Sequence, residues 1–205
     1  MATTTGPDAL KLHITGLIHV FHAPVDTTVP DISTFDFSDV MSTGSFGDWV
    51  WLGDTSSENL IELASDGGDA EYKRTADRLK VRAVREDTTY TLTINTVGIS
   101  KDHFELGFSD AEYDAATNSY RIKSGGTSSE KALLVVTEDG RDVAAVYLPN
   151  ADIVGNLPGF DLENFQEWPL TCALLASPST GDLMSYYLPR ARAGAGGGPG
   201  GAEGE

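Results

Sequence analysis

The sequence predicts a mainly β domain, a β-sandwich or barrel with one or two short helices. About eight to ten short segments either alternate apolar and polar residues or are rich in β-branched and aromatic types. Glycine, proline, asparagine and aspartate separate these segments, which is typical of tight turns between strands. Helical spacing of apolar residues is clear in a single short segment.

The first strand is predicted over residues 10–23, with a break near Gly16, because apolar and polar residues alternate at its start. Pro24 and Pro30 bound a loop. Residues 31–48 then show no firm periodicity. A long irregular connection of this kind is uncommon in a compact domain unless it has a function.

The most distinctive stretch contains two of the three tryptophans. Trp49 and Trp51 stand two residues apart, so in a strand both indoles lie on one face. Asp54 belongs to the bend that ends this run, and Gly67 and Gly68 make a second bend. We interpret the stretch as an aromatic anchor that packs against another element or subunit.

The middle of the chain contains two further strands and the helix. Arg78, Lys80 and Arg82 alternate with apolar residues, which predicts a strand over 78–85 with one solvated face. Residues 88–97 alternate threonine with Tyr, Leu and Ile and form the clearest strand pattern. Residues 100–109 suit a short helix capped by a serine, and 120–123 a short strand.

Two hairpins complete the domain in this interpretation. Residues 131–149 form one around an Asp-Gly turn, and residues 171–188 form the other around 178–181. The predicted organisation is a loose N-terminal arm over 1–9, one β domain over 10–189, and a glycine-rich disordered tail over 190–205.

The charge is strongly acidic, with 31 acidic and 14 basic residues and a formal net charge of −17. This balance argues against a conventional nucleic-acid binder, since such proteins use Lys and Arg to neutralise phosphates. It is compatible with a surface past which nucleic acid moves without binding. A lone cysteine, Cys172, fits a reducing compartment, and no signal peptide or membrane span is predicted.

No catalytic, metal or cofactor site is predicted. His19 and His22 point to opposite faces of a strand, and the many carboxylates pair at every spacing, so neither pattern is specific. There is no Gly-x-Ser-x-Gly motif, and Cys172 lies in an apolar run that favours a buried thiol. The tryptophans leave open a sugar-binding platform, although core or interface positions are commoner for them.

Several stretches together resemble the major tail protein of phages with long, non-contractile tails. They are Gly16 to Val20, Pro24 and Pro30, Trp51 to Ser56, Gly67 to Asp69, Tyr90 to Asn95, and the sequence Phe165-Gln166-Glu167-Trp168-Pro169-Leu170. The resemblance covers roughly residues 10–189 and consists of structural motifs in a fixed order, with no catalytic signature.

The resemblance implies a tail-tube β-sandwich with long inter-subunit loops, whose copies form stacked hexameric rings. It also implies an acidic channel for double-stranded DNA, with a tape-measure protein, a tail terminator and distal tail proteins as partners. The protein is then expected in the virion tail, assembled in the host cytoplasm, with no membrane partner and no enzymatic activity. The loop over 24–48 becomes a candidate contact with the next ring.

Candidate interface residues follow from the aromatic stretch, the basic strand and the late tryptophan. They are Trp49, Trp51, Asp54, Arg78, Lys80, Arg82 and Trp168. The acid-rich first 70 residues are expected to meet the basic strand of another copy. Alternatives are another virion β-protein, such as a head-decoration or tail-tip component, and a carbohydrate-binding module or glycosidase.

Overall fold

The computed structural model describes residues 13–73, 76–77, 82–85, 87–98, 100–123, 128–160 and 162–193. It is mainly β, with 47% of residues in strands and 10% in helices, which confirms the predicted fold class. The strands are β1 (Leu17–Ala23), β2 (Ser45–Phe46), β3 (Trp49–Trp51), β4 (Glu62–Asp66), β5 (Ala70–Lys73), β6 (Arg82–Arg85), β7 (Thr89–Thr96), β8 (Glu112–Asp114), β9 (Ser119–Arg121), β10 (Ser129–Asp139), β11 (Asp142–Gly155), β12 (Trp168–Leu175) and β13 (Ser185–Ala191). The helices are α1 (Phe37–Thr43) and α2 (Lys101–Gly107), and a 3-10 turn spans Ile32–Thr34.

A nine-stranded antiparallel sheet forms the body of the subunit. Its order is β2-β3-β1-β10-β11-β12-β7-β4, and β13 also pairs with β11. Two small hairpins, β5–β6 and β8–β9, stand outside this sheet. At one end of the sheet β4 pairs with β7, and every residue of β4 is exposed. This leaves β4 as an open edge strand, a feature that invites pairing with another chain.

The predicted hairpin over 131–149 is confirmed as β10 and β11. Asp139 pairs with Asp142, so Gly140 and Arg141 form a two-residue turn. Gly140 has φ 56°, which a glycine adopts at little cost and which a tight hairpin turn requires. These two long strands are the centre of the sheet.

The second predicted hairpin is wrong in its pairing, although both strands exist. β13 pairs with the first half of β11, from Asp142 to Tyr147, while β12 pairs with its second half, from Asn150 to Gly155. The two strands therefore lie end to end along β11 and do not pair with each other. The loop between them is fixed by Asp26, whose carboxylate accepts hydrogen bonds from Ser177 Oγ at 2.6 Å and from Ser179 N at 3.2 Å.

The central strands are buried on both faces, which explains their continuous apolar runs. Leu133 and Val135 belong to one core cluster, with the inner faces of β7 and β12. Leu134 and Val136 belong to a second cluster on the opposite face, beneath the segment that joins β1 to β3. Alternate residues of β10 thus serve two cores, and the subunit is a layered sandwich.

The connection over 24–48 is more ordered than its lack of periodicity suggested. Asp36 caps α1 by accepting from Ser38 N at 2.9 Å, and Gly44 ends the helix with φ 73°. Phe35 and Val40 are 1% exposed in the second core cluster. The segment therefore packs on the sheet of its own subunit, and whether any part of it reaches a neighbouring ring stays a prediction.

Other predictions have mixed outcomes. The helix capped by Ser100 and the strand over 88–97 are confirmed by α2 and β7. Within the described residues, the first strand begins only at Leu17. The domain division stays a prediction: the arm over 1–9 and most of the tail over 190–205 lie outside the described residues, while β13 continues past 189 to Ala191 and Ala193 N donates to Ser33 O at 2.7 Å. Residues 78–81 of the predicted basic strand lie outside the described residues, and β6 accounts for the remainder.

Candidate functional site: the assembly surfaces

The described side chains that could take part in chemistry are packed as structural groups. Among the described residues, no group of three or more His, Cys, Asp or Glu side chains is placed to hold a metal ion. Cys172 is confirmed as a buried thiol, 0% exposed, and burial raises its pKa to about 12. A thiol with so high a pKa is almost entirely protonated at neutral pH. In the part of the chain that the structure describes, no helix is long and apolar enough to cross a membrane.

A buried polar cluster joins three distant parts of the chain. His19 of β1 and Glu138 of β10 are 5% and 8% exposed, and His19 Nε2 donates to Glu138 Oε1 at 2.7 Å. Arg192, just beyond β13, forms an ion pair with the same carboxylate. Burial, and then the charge of Arg192, lowers the pKa of His19 to about 4, so the imidazole is neutral at pH 7. The cluster fixes the end of β13 to the sheet.

A second buried histidine supports the late tryptophan. His103 of α2 is 0% exposed, its Nδ1 lies 3.0 Å from Thr96 Oγ1, and burial lowers its pKa to about 4. The ring of Trp168 lies edge-on to His103 and to Phe104, with centroid distances of 6.0 and 5.1 Å. Trp168 is half-buried, and it packs α2 onto the end of β12.

The two early tryptophans share a face, as predicted, but differ in burial. Trp49 is 0% exposed, and its Nε1 donates to Thr28 O at 3.0 Å. Trp51 is half-buried and lines a cleft of about 470 Å³ together with the exposed Asp54. Trp49 therefore lies in the subunit interior, whereas Trp51 and Asp54 are at least partly accessible to a neighbour.

The basic residues concentrate in one part of the sequence. Residues 70–85 contain six of the chain's 14 basic residues and only two acidic ones. The six are Lys73, Arg74, Arg78, Lys80, Arg82 and Arg85. β5 and β6 pair with each other and lie outside the main sheet, and Arg82 and Arg85 are exposed. Arg74, Arg78 and Lys80 lie outside the described residues. We call the paired strands β5 and β6 the basic hairpin.

The base of the basic hairpin is a constrained junction. Gly67 and Gly68 have φ values of 90° and 76°, in the region that favours glycine. A Cβ on Gly67 would lie 2.5 Å from Asp87 O, so the two sides of the junction approach closely. The predicted bend at these glycines is confirmed.

An exposed apolar segment, which the sequence analysis did not predict, lies between β11 and β12. In this segment, residues 156–167, four large side chains are 73–103% exposed. They are Leu157, Phe160, Leu162 and Phe165. Turn residues between them had indicated only a loop. The sequence feature that could have indicated this exposed segment is the number of large apolar residues among its polar and turn residues. We call this segment the apolar arm.

One face of the sheet has a distinct chemistry. The outward residues of β4, β7, β12 and the end of β11 are small, hydroxylic or acidic and include no lysine or arginine. They are Glu62, Ala64, Asp66, Thr89, Thr91, Thr93, Asn95, Pro169, Thr171, Ala173, Asp152 and Val154. Their neighbours in sequence, such as Leu92 and Cys172, are buried on the opposite face. We call this surface the hydroxyl-acid face.

Comparison with known proteins identifies two similarities. The sequence profile of a family described as "Phage tail tube protein" matches residues 5–193, which is most of the chain. The chain is also similar to the "Major tail protein Gp23" of Mycobacterium phage D29. The two are 31% identical over 136 residues, which cover 65% of this chain and 67% of the relative.

Proposed function

Because this chain belongs to the phage tail tube protein family, we propose that its copies assemble into stacked hexameric rings that form the tail tube. It is a structural component of the phage tail and not an enzyme. The proposal extends to the channel of the tube, through which double-stranded DNA passes during infection. The observation that best supports this proposal is the hydroxyl-acid face, whose residue types suit the wall of a channel for DNA.

The hydroxyl-acid face suits a wall along which DNA slides. Glu62, Asp66 and Asp152 supply negative charge, and the remaining residues are small or neutral. Phosphates bind proteins chiefly through Lys and Arg, which this face lacks. Like-charge repulsion and the absence of large side chains would leave the passing duplex without strong contacts. We infer that this face lines the channel.

The open edge of β4 offers a route to a continuous wall. An exposed edge strand presents unpaired backbone N–H and C=O groups, which a strand of a second copy can satisfy. Since β4 borders the hydroxyl-acid face, pairing at this edge would extend that face from one subunit to the next. A heterologous contact of this kind closes into a ring when its rotation permits.

Stacking of rings requires further contacts, for which the predicted interface residues are candidates. Trp51, Asp54, Arg82 and Trp168 lie at exposed or half-buried positions. We infer that Arg82 of the basic hairpin, together with Arg78 and Lys80, contacts an acidic region of another copy, because residues 70–85 are rich in basic residues in a chain of net charge −17. Trp49 would contribute to assembly indirectly, by stabilising the folded subunit.

The proposed partners outside the subunit are those of a tail tube. They are further copies of the chain, a tape-measure protein inside the tube, a tail terminator and distal tail proteins. The protein is a tail component of the virion, and we infer that assembly takes place in the host cytoplasm.

The alternatives are less consistent with the site. A sugar-binding platform needs exposed aromatic rings, whereas Trp49 is 0% exposed and Trp51 and Trp168 are half-buried. A head-decoration or tail-tip role would also use a β-sandwich, but the family match is to tail tube proteins.

Placing positive charge on the hydroxyl-acid face tests the proposed channel wall. In tails assembled from the double variant Glu62→Lys and Thr89→Lys, we expect genome release to be slower by about tenfold or more. The physical reason is that every ring would add phosphate-binding groups to the channel. Phage carrying the variant would be compared with wild type by DNA-release kinetics and plating efficiency.

A matched control places the same charges elsewhere on the subunit. Glu105 and Thr117 are exposed residues away from the hydroxyl-acid face, and Glu105→Lys with Thr117→Lys should release DNA at the wild-type rate. Equal slowing by both variants, or normal release by both, would show that the hydroxyl-acid face does not line the channel.

A further inference from the structure

We propose that Glu130, Asn150 and Asp152 form a binding site for a divalent cation, and that its ion is Ca²⁺. Glu130 lies in the first part of β10, and Asn150 and Asp152 lie in the second half of β11, with which that part of β10 pairs. The site belongs to a single subunit. It therefore goes beyond the proposed function and does not depend on assembly into a tube.

The strand register places two carboxylates side by side. Glu130 pairs with Asp152, so the two side chains are direct neighbours on one face of the sheet. Side chains in such positions have Cβ atoms about 4.5–5.5 Å apart, and like charges there repel each other. Among the described residues, no Lys, Arg or His forms an ion pair with either carboxylate. A positive ligand bound between them would remove this repulsion.

Asn150 adds an almost fully buried amide to the two carboxylates. It is 3% exposed, and its Nδ2 donates to Glu130 Oε2 at 3.1 Å. This hydrogen bond sets the orientation of the amide, because the reverse orientation would turn Oδ1 toward the carboxylate. Asn150 Oδ1 and Asp152 Oδ1 are both buried, and no described residue donates a hydrogen bond to either atom. Buried acceptors without donors are unfavourable, and a bound cation would satisfy both.

The neighbouring side chains supply no positive charge to this group. β12 places Leu175 opposite Asn150 and Ala173 opposite Asp152, and neither side chain has a donor. Lys131 is next to Glu130 in sequence, but successive residues of a strand point to opposite faces, and Lys131 lines the cleft beside α2. The three residues are therefore a group of oxygen acceptors that lacks an electropositive partner.

These ligands suit calcium better than other metal ions. Ca²⁺ binds carboxylate and amide oxygens and accepts irregular arrangements of about six to eight ligands, some of them water. Mg²⁺ requires a near-ideal octahedron, and transition metals favour His or Cys, which the group lacks. Its two carboxylates fall below the three or more His, Cys, Asp or Glu side chains of a conventional metal cluster, which the described residues do not contain. A weak site is therefore expected, with a Kd of about 0.1–1 mM.

Calcium binding can be measured on the purified chain by titration calorimetry and by thermal melts. We expect one Ca²⁺ per chain and a melting temperature that rises with Ca²⁺ up to about 10 mM. Glu130→Gln and Asp152→Asn should each weaken binding about tenfold or more, because each removes a charged ligand. In EDTA both variants should melt at or above the wild-type temperature, since each removes one of two facing like charges. Loss of binding is then not a consequence of misfolding.

A third variant should strengthen the site. Asn150→Asp replaces the amide with a further carboxylate, so it should bind Ca²⁺ about fivefold more tightly and melt at a lower temperature than wild type in EDTA. Asp48→Asn is the matched control, because it removes the same charge at an exposed turn between β2 and β3 and should bind Ca²⁺ as wild type does.

Non-specific screening of the net charge of −17 would give a different result. In that case Ca²⁺ and Mg²⁺ would raise the melting temperature equally, and wild type, Asp152→Asn and Asp48→Asn would respond alike. That result, or no response of the wild-type chain to Ca²⁺, would overturn the cation site. Neither result bears on the proposed function, which is tested separately by tube formation.

Discussion

Replacing Trp49 by alanine is expected to lower the free energy of unfolding by about 3–5 kcal/mol, the cost of removing a fully buried large aromatic side chain. The indole is 0% exposed and packs edge-on to Tyr147 with a centroid distance of 5.9 Å. The substitution also leaves Thr28 O without the hydrogen bond from Nε1. Chemical denaturation followed by circular dichroism would measure the loss.

The neighbouring residues provide the controls. Trp51→Ala should cost roughly half as much, because the indole of Trp51 is only half-buried. Val50 points to the opposite face and is 39% exposed, so Val50→Ala should cost less than about 1 kcal/mol. If Trp51→Ala destabilised the fold more than Trp49→Ala, the placement of the two indoles would be wrong.

Replacing Arg192 by methionine is the second substitution with a large expected effect, about 3–5 kcal/mol of lost stability. Methionine keeps an apolar stem but leaves the Glu138 carboxylate, 8% exposed, without its cationic partner. In the wild-type chain His19 is neutral at pH 7, because burial and then the charge of Arg192 lower its pKa to about 4, so the positive charge facing this carboxylate comes from Arg192. Equilibrium denaturation at pH 7 would measure the change.

Arg190 is a control two residues away. It forms an ion pair with Asp31 at 3.1 Å, with side chains 44% and 58% exposed, so Arg190→Met should cost less than about 1 kcal/mol. Adding Glu138→Gln to Arg192→Met should recover much of the loss by removing the unpaired charge. Similar losses for Arg190→Met and Arg192→Met would contradict the buried ion pair.

The same ion pair predicts that truncation after residue 189, which removes Arg192, lowers the free energy of unfolding far more than truncation after residue 193.

Local patterns predicted many of the individual elements. The alternation of threonine with Leu92 and Ile94 located β7, and Ser100 located the start of α2. The Asp-Gly sequence located the turn between β10 and β11, because the required backbone angles favour glycine at position 140. In each case a short-range physical preference decided the structure.

Such local patterns did not predict which strands pair when they are distant in sequence. Two adjacent strands with a turn between them suggest a hairpin, yet β12 and β13 both pair with β11, whose length offers two successive partners on one edge. The sequence did not predict helix α1 because it is only seven residues long and Val40 is its single buried residue, so it shows no helical spacing of apolar residues. Its position depends on the second core cluster, which forms only when β1 and β10 are already paired.

The surfaces were predicted only in part. Charge counting identified the basic strand, and paired tryptophans identified an aromatic face, but burial of Trp49 depends on contacts with Tyr147 and Thr28 that are distant in sequence. The apolar arm resembled an ordinary loop, because exposure of Phe160 and Leu162 cannot be deduced from their identity. The hydroxyl-acid face required the strand order of the sheet.

Electron microscopy of the purified protein over a wide range of concentrations would show whether this subunit builds a tube from copies of itself. We expect hollow tubes with a regular axial repeat once the concentration is high enough for rings to stack. Single particles without tubes at every concentration, from a chain that melts cooperatively and is therefore folded, would contradict it.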